Sequence, residues 1–152
     1  MFRPETAELE EALLPLLEAR NAYLIDFHFN RSKYGSVIEV FIDTDTGVTS
    51  ELCSELSREF GKALDGLDFL QGRFQLVVSS PGFDRPLKFP RQYPKHKGHN
   101  LIVKHQENGS TVSTTGELTS TGDTGIVLKL ENGKTKEVAF ADILEAKVKP
   151  QW

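Results

Sequence analysis

The residues best suited to chemistry lie in one basic segment near the middle of the chain. Between Arg85 and His105 the sequence contains no Asp or Glu, and Phe89 and Tyr93 are interleaved with its charges. The basic residues of this segment are Arg85, Lys88, Arg91, Lys95, Lys97 and Lys104, together with His96, His99 and His105. This composition is typical of phosphate binding with a base or ribose stacked on an aromatic ring.

The same segment has a second interpretation, a solvated and proline-rich linker, because blocks of charge often only solvate a surface. The net charge of the chain helps to distinguish a nucleic-acid interface from a linker. The net charge is −4, with 9 Lys and Arg against 15 Asp and Glu in residues 1–90, and 9 against 7 in residues 91–152. Bulk nucleic acid repels such a chain at long range, so any binding of nucleic acid is expected at a defined interface.

The sequence contains few features that are typical of enzymes. The sequence has no G-x-S-x-G elbow, no phosphate-binding P-loop, no C-x-x-C and no H-E-x-x-H motif. Ser79 and Ser80 follow a strand-like run, as a nucleophile could, but no histidine is identifiable as their base, so we interpret their hydroxyls as turn-forming or capping groups. A hydrolase using either serine is the remote alternative. We expect no enzymatic activity, no catalytic residue and no cofactor.

Candidate metal ligands are equally weak. The three histidines of the basic segment have no thiolate or carboxylate among them, which metal sites usually recruit. Residues 43–47 resemble the start of a calcium loop, but glycine stands at the fifth position and Ser54 at the twelfth, where a glutamate is needed. We therefore expect no metal site.

Cysteine usage and hydropathy indicate the compartment. Cys53 is the only cysteine, which excludes an internal disulfide and fits a reducing environment. No apolar run approaches the ~20 residues that span a bilayer. The sequence therefore predicts a cytoplasmic protein that does not contact a membrane.

Hydrophobic periodicity predicts two helices and three strands in the order αββαβ for the first part of the chain. Alternating residues from 23 to 30 place the aromatic rings and Ile25 on one face of a strand, which forms a hairpin with residues 37–42. A second helix is expected from an N-cap at Thr49 to Gly66, followed by a strand over residues 74–78. The first helix, expected to bend or begin near Pro15, is indicated by Leu9, Leu13, Leu16 and Leu17.

The remaining sequence is all β. Five short apolar runs are separated by turn signals, the strongest of which is Asn132-Gly133. About five strands in so short a stretch suggest a small barrel, which closes its edges on itself. The predicted fold is therefore α+β, with an N-terminal αββαβ domain over residues 1–88 and a C-terminal all-β small barrel over residues 89–152.

A turn-rich motif marks the junction of the two domains. Its two prolines fix φ, remove backbone donors and bias the preceding residue away from helix. Arg85 in this motif has two open roles: it contacts RNA, or it bridges the domains by hydrogen bonds to carbonyl groups or to Asp84. The motif residues are Ser79, Ser80, Pro81, Gly82, Asp84, Arg85 and Pro86.

This motif carries a resemblance to a known family. The block Val-Ser-Ser-Pro-Gly-x-Asp-Arg-Pro-Leu at residues 78–87, with the Gly-Val-Thr that precedes helix two and the later Cys53, resembles the bacterial ribosome maturation factor RimP. The resemblance extends over nearly the whole chain. Val77 departs from the pattern, since the family commonly has an acidic residue there, and so does Ser50, where a larger apolar or acidic run is usual.

The resemblance implies a non-enzymatic, monomeric assembly factor that binds the immature 30S ribosomal subunit. It implies an SH3-like C-terminal barrel, and as partners the small-subunit rRNA and ribosomal protein twelve of that subunit. The alternative is a generic small-barrel module that binds RNA or protein. Under the first interpretation the candidate rRNA-binding residues are Arg85, Lys88, Arg91, Tyr93, Lys95 and Lys97.

Overall fold

The chain divides into two compact units, Met1–Pro81 and Gly82–Trp152. The computed structural model describes residues 4–33, 35–70, 74–82 and 84–150. The division falls earlier than the boundary after residue 88 expected from the sequence. The reason is Leu87, whose backbone N–H donates to the carbonyl of Ala146 at 2.7 Å and whose side chain packs on the core of the second unit.

The first unit has the predicted αββαβ order. Its three-stranded sheet has the order β1-β2-β3, with β1 antiparallel to β2 and β3 parallel to β2. The parallel pairing requires a crossover, which α2 provides. The elements are α1 (Pro4–Ala19), β1 (Ala22–Ser32), β2 (Gly35–Thr44), α2 (Ser50–Asp65), a 3₁₀ turn (Asp68–Leu70) and β3 (Phe74–Ser79).

Both helices place apolar side chains in one core against this sheet. Helix α1 does not begin at Pro15 but runs through it, with Leu9, Leu13 and Leu17 almost fully buried on one face. The predicted N-cap of α2 is confirmed, because Thr49 Oγ1 accepts a hydrogen bond from the Leu52 N–H at 3.1 Å.

A β-bulge changes the predicted pattern of the first strand. The pairing register between β1 and β2 shifts between Leu24 and Asp26. Leu24 therefore packs on the same core as Phe27 and Phe29, although strict alternation would place it on the other face. Ile25 is buried but lies outside that core, so the prediction that it shares one face with these rings is wrong.

The second unit is an all-β sheet with the strand order β7-β6-β5-β4-β8, in which all neighbouring strands are antiparallel. The pairings among the described residues leave β7 and β8 as edges, so the sheet is open rather than closed by a ladder. The elements are β4 (Asn100–Glu107), β5 (Ser110–Thr121), β6 (Gly125–Lys129), β7 (Thr135–Ala139) and β8 (Ile143–Val148), with 3₁₀ turns at Pro90–Gln92, Pro94–His96 and Phe140–Asp142.

Two glycines permit the close approach of strands in this sheet. A Cβ atom on Gly116 would lie 2.8 Å from the carbonyl oxygen of Lys129, and one on Gly125 would lie 2.4 Å from that of Val138. Both neighbouring atoms belong to the backbone and cannot move aside like a flexible side chain. The predicted Asn132-Gly133 turn is also present, with Gly133 at φ +86°.

Candidate nucleic-acid interface

The basic segment is folded into the second unit and is not a solvated linker. Its two 3₁₀ turns each begin at a proline, whose fixed φ suits the first helical position. Gln92, the last residue of the first turn, is fully buried. Its side-chain Oε1 accepts hydrogen bonds from the backbone N–H groups of Lys88, at 2.6 Å, and Phe89, at 2.9 Å. One buried amide thereby fixes the backbone at Lys88 and Phe89, which precede the first turn.

The aromatic residues of the segment serve packing. Tyr93 is only 3% exposed and its ring meets that of Phe140 edge-on, with 5.2 Å between the ring centroids. Burial raises the pKa of the Tyr93 phenol to about 12. Its ring is inaccessible to a base, so the expected stacking role has no support in this geometry. Phe89 is half-buried, and the Lys88 ammonium lies 5.5 Å from its ring centroid.

The charged candidates lie at the surface of the second unit. Lys88, Arg91 and Lys97 are exposed, whereas Arg85 and Lys95 are half-buried. Arg91 and Lys95 belong to the two 3₁₀ turns, which fix the backbone from which their side chains extend. Contact of these five residues with rRNA stays a prediction.

Backbone hydrogen bonds bring a further cation to the end of this segment. The Gly98 N–H donates to the Leu118 carbonyl at 2.8 Å, and the Leu118 N–H donates to the His99 carbonyl at 2.9 Å. The Lys149 N–H donates to the Asn100 carbonyl at 2.8 Å. The exposed residues Lys97, His99 and Lys149 therefore lie on adjacent chain segments, and we call these three the basic edge. Sequence reasoning missed Lys149, since only the β4–β8 pairing brings it there.

The junction motif spans the division between the units. Ser79 is the last residue of β3 and pairs in register with Phe41. Ser80, Gly82, Asp84 and Pro86 are exposed, whereas Pro81 is half-buried. A backbone hydrogen bond of 3.1 Å, from the Arg85 N–H to the Gly82 carbonyl, closes a turn within the motif. These contacts agree with turn formation by the motif, as the two prolines predict.

The first unit presents an acidic surface on α1. This helix exposes Leu14, with the carboxylates of Glu10, Glu11 and Glu18 one turn away from it, and it also exposes Glu8. Other acidic residues are engaged within the unit: Arg20, at the end of α1, forms ion pairs with Glu55 and Glu59 of α2. The hydrogen bond to Glu59 is the main cause of the raised pKa of Arg20. The carboxylates of α1 are therefore exposed acidic groups of the first unit.

Comparison with protein families decides the class. The family model described as the RimP N-terminal domain matches residues 12–84. Residues 12–84 of this chain are a domain of the RimP family. The match covers the second half of α1, all of β1, β2, α2 and β3, and the junction motif as far as Asp84. The RimP family is one of ribosome maturation factors, so the family predicted from the sequence is confirmed.

Within the described ranges, no group of three or more His, Cys, Asp or Glu side chains is placed to hold a metal ion. The helices of the same part of the chain include none that is long and apolar enough to cross a bilayer.

Proposed function

We propose that this protein is a non-enzymatic, cytoplasmic factor that binds the immature 30S ribosomal subunit as a monomer and assists its maturation. The observation that carries the proposal is the RimP N-terminal domain over residues 12–84. The two units support a division of labour, since one presents carboxylates and the other presents a basic surface.

In this proposal the second unit contacts small-subunit rRNA. The supporting features are the exposed cations of the folded basic segment and the basic edge beside them. Phosphate contacts of this kind position a protein on RNA without reading its sequence. The negative net charge of the chain limits binding to RNA that presents phosphates in the right place.

The first unit, in the same proposal, contacts ribosomal protein twelve of the small subunit. The exposed carboxylates of α1 complement the positive charge of a ribosomal protein, and the 40% exposed Leu14 among them supplies an apolar contact. Charge complementarity of this kind chiefly accelerates association and selects the partner.

We also propose that the second unit is an SH3-like barrel. Its sheet is curled, since Lys136 on β7 forms an ion pair with Glu107 at the end of β4, although two strands, β6 and β5, lie between them in the sheet order. The hydrogen bond from Lys136 lowers the pKa of Glu107. Register shifts at Lys104/His105 and at Leu118/Ser120 supply the bulges by which strands bend. All five strands contribute to one core.

Co-sedimentation of the purified protein with immature and mature 30S particles, beside naked rRNA and across a salt series, tests the proposed function. Preference for the immature particle supports it. Equal binding to naked rRNA favours the alternative of a generic RNA-binding module, and binding to none of the three refutes the ribosomal role.

A further inference from the structure

We infer that β3, at one edge of the sheet of the first unit, is a docking site for an extended segment of a partner protein, which adds a fourth strand to that sheet. In this segment apolar residues alternate with lysines or arginines. The inference deepens the proposed function and rests on its assignment of the first unit to a ribosomal protein. It places a contact on a different surface from the carboxylates of α1.

The strand β3 has the features of an unprotected sheet edge. It pairs with β2 and ends the strand order of this sheet among the described residues. Its six residues, Phe74–Ser79, include no charged residue and no proline, and its register with β2 runs without a shift. Soluble proteins usually protect a free edge with charges, prolines or bulges, since its N–H and C=O groups can pair with another chain. The strand β3 uses none of these three devices.

The opposite edge of the same sheet is protected. The strand β1 carries Asp26, His28 and Arg31, and its register with β2 shifts between Leu24 and Asp26. His28 Nε2 lies 3.7 Å from Asp26 Oδ2, so polar groups line this edge. A bulge and charged side chains discourage the addition of a strand. The contrast between the two edges indicates that a partner strand is added at β3.

The face of β3 that contributes to the core offers apolar contacts. Leu76 and Val78 are half-buried, whereas Ile38 and Val40, their partners in register on β2, are fully buried. The core of the first unit is therefore only partly covered at β3. Because side chains alternate between the two faces of a strand, every second residue of an added segment lies on this face. Apolar residues at these positions complete the burial of the core.

The other face of β3 determines the charge of the segment. Val77, which is 40% exposed, pairs in register with Glu39, and Glu39 pairs in register with His28. Strands lie about 4.8 Å apart, so a lysine or arginine of an added strand reaches over the short Val77 towards the carboxylate of Glu39. Residues 1–90 contain 15 Asp and Glu against 9 Lys and Arg, which attracts a basic partner at long range.

Titration calorimetry of the whole chain with purified ribosomal protein twelve of the small subunit tests this inference. The variant Val77→Lys places a positive charge at the edge and should weaken binding about tenfold, because it repels the basic residues of the segment. The variant Val77→Glu places the opposite charge at the same position and should bind at least as tightly as the wild type. Equal weakening by the two variants overturns the inference.

The matched control is His28→Lys, which adds a positive charge in the same row of the sheet at the opposite edge. We expect it to weaken binding less than about threefold. A loss equal to that of Val77→Lys shows that binding follows the charge of the whole sheet, and it overturns the inference.

Amide hydrogen exchange of the wild-type protein reports on the docked strand directly. Half of the N–H groups of an edge strand point away from its neighbour, and their exchange over residues 74–79 should slow about tenfold in the complex. Unchanged exchange over these residues overturns the inference.

Two further outcomes separate this inference from its alternatives. Sedimentation equilibrium of the protein alone detects pairing of β3 with a second copy, and a dimer that Val77→Lys dissociates would overturn the inference. Subunit co-sedimentation that Val77→Lys leaves unchanged refutes only the inference. Binding of the ribosomal protein at β3 by a chain that does not bind the immature subunit refutes only the proposed function.

Discussion

Replacing the buried Gln92 should destabilise the second unit, because the Gln92 side chain holds the backbone of the basic segment in place. The variant Gln92→Met keeps the length of the side chain and removes the oxygen that accepts from the N–H groups of Lys88 and Phe89. An unsatisfied buried donor costs about 1–3 kcal/mol. Because Lys88 is exposed and Phe89 is half-buried, the loss of both bonds should cost about 2–4 kcal/mol, below the full sum. With a urea m-value of about 2 kcal/mol/M, the unfolding midpoint of the second unit falls by about 1–2 M.

Urea unfolding followed by far-UV circular dichroism measures this change. The control is Gln106→Met, because Gln106 is exposed and its hydrogen bond to Thr111 is at the surface. We expect the control to shift stability by less than about 0.5 kcal/mol. A Gln92→Met variant as stable as this control would refute the reasoning that the amide holds the segment in place.

Three other predictions follow from the same geometry. Gly125→Ala should destabilise the second unit by about 2 kcal/mol or more, because the new Cβ would lie 2.4 Å from the Val138 carbonyl oxygen. Gly122→Ala should be tolerated, because the atom nearest to its Cβ would lie 3.9 Å away, and thermal melts compare the two variants. Burial raises the pKa of Tyr93 from 10.0 to about 12. The buried neutral phenol therefore contributes fully to the stability of the second unit below pH 10, and this contribution is lost as the pH rises toward 12. The Tyr93→Phe variant, melted over the same pH range, should lack this loss. Subunit co-sedimentation should weaken and lose salt dependence on joint charge reversal of Arg91, Lys95 and Lys97, and unchanged binding would exclude the proposed rRNA contact.

Local patterns predicted the elements of this fold well. The apolar spacing of α1 and α2 and the Asn132-Gly133 turn are properties of neighbouring residues, and all three are present. The exception is Pro15, which the sequence suggested as a possible start of α1. Burial of the leucines on one face outweighs the lost backbone hydrogen bond there, and local propensity does not include that contribution.

The features that depend on distant residues could not be predicted in this way. The role of Tyr93 depends on Phe140, which packs on its ring from far along the chain. Likewise, Lys149 joins the basic edge only through the pairing of β8 with β4. The periodicity of apolar residues along the chain does not show which strands pair. The bulge at Ile25 inserts one residue into a pattern that otherwise alternates correctly.

The strand order of both units has a consequence for synthesis on the ribosome. In each unit the strand that comes last in the chain pairs with one made much earlier: β3 with β2 across α2, and β8 with β4 across three intervening strands. Neither sheet can be completed until its last strand has emerged, so nascent chains stay incomplete until late in the translation of each unit. A chain truncated before Ile143 would leave β4 as a bare edge able to pair with other molecules.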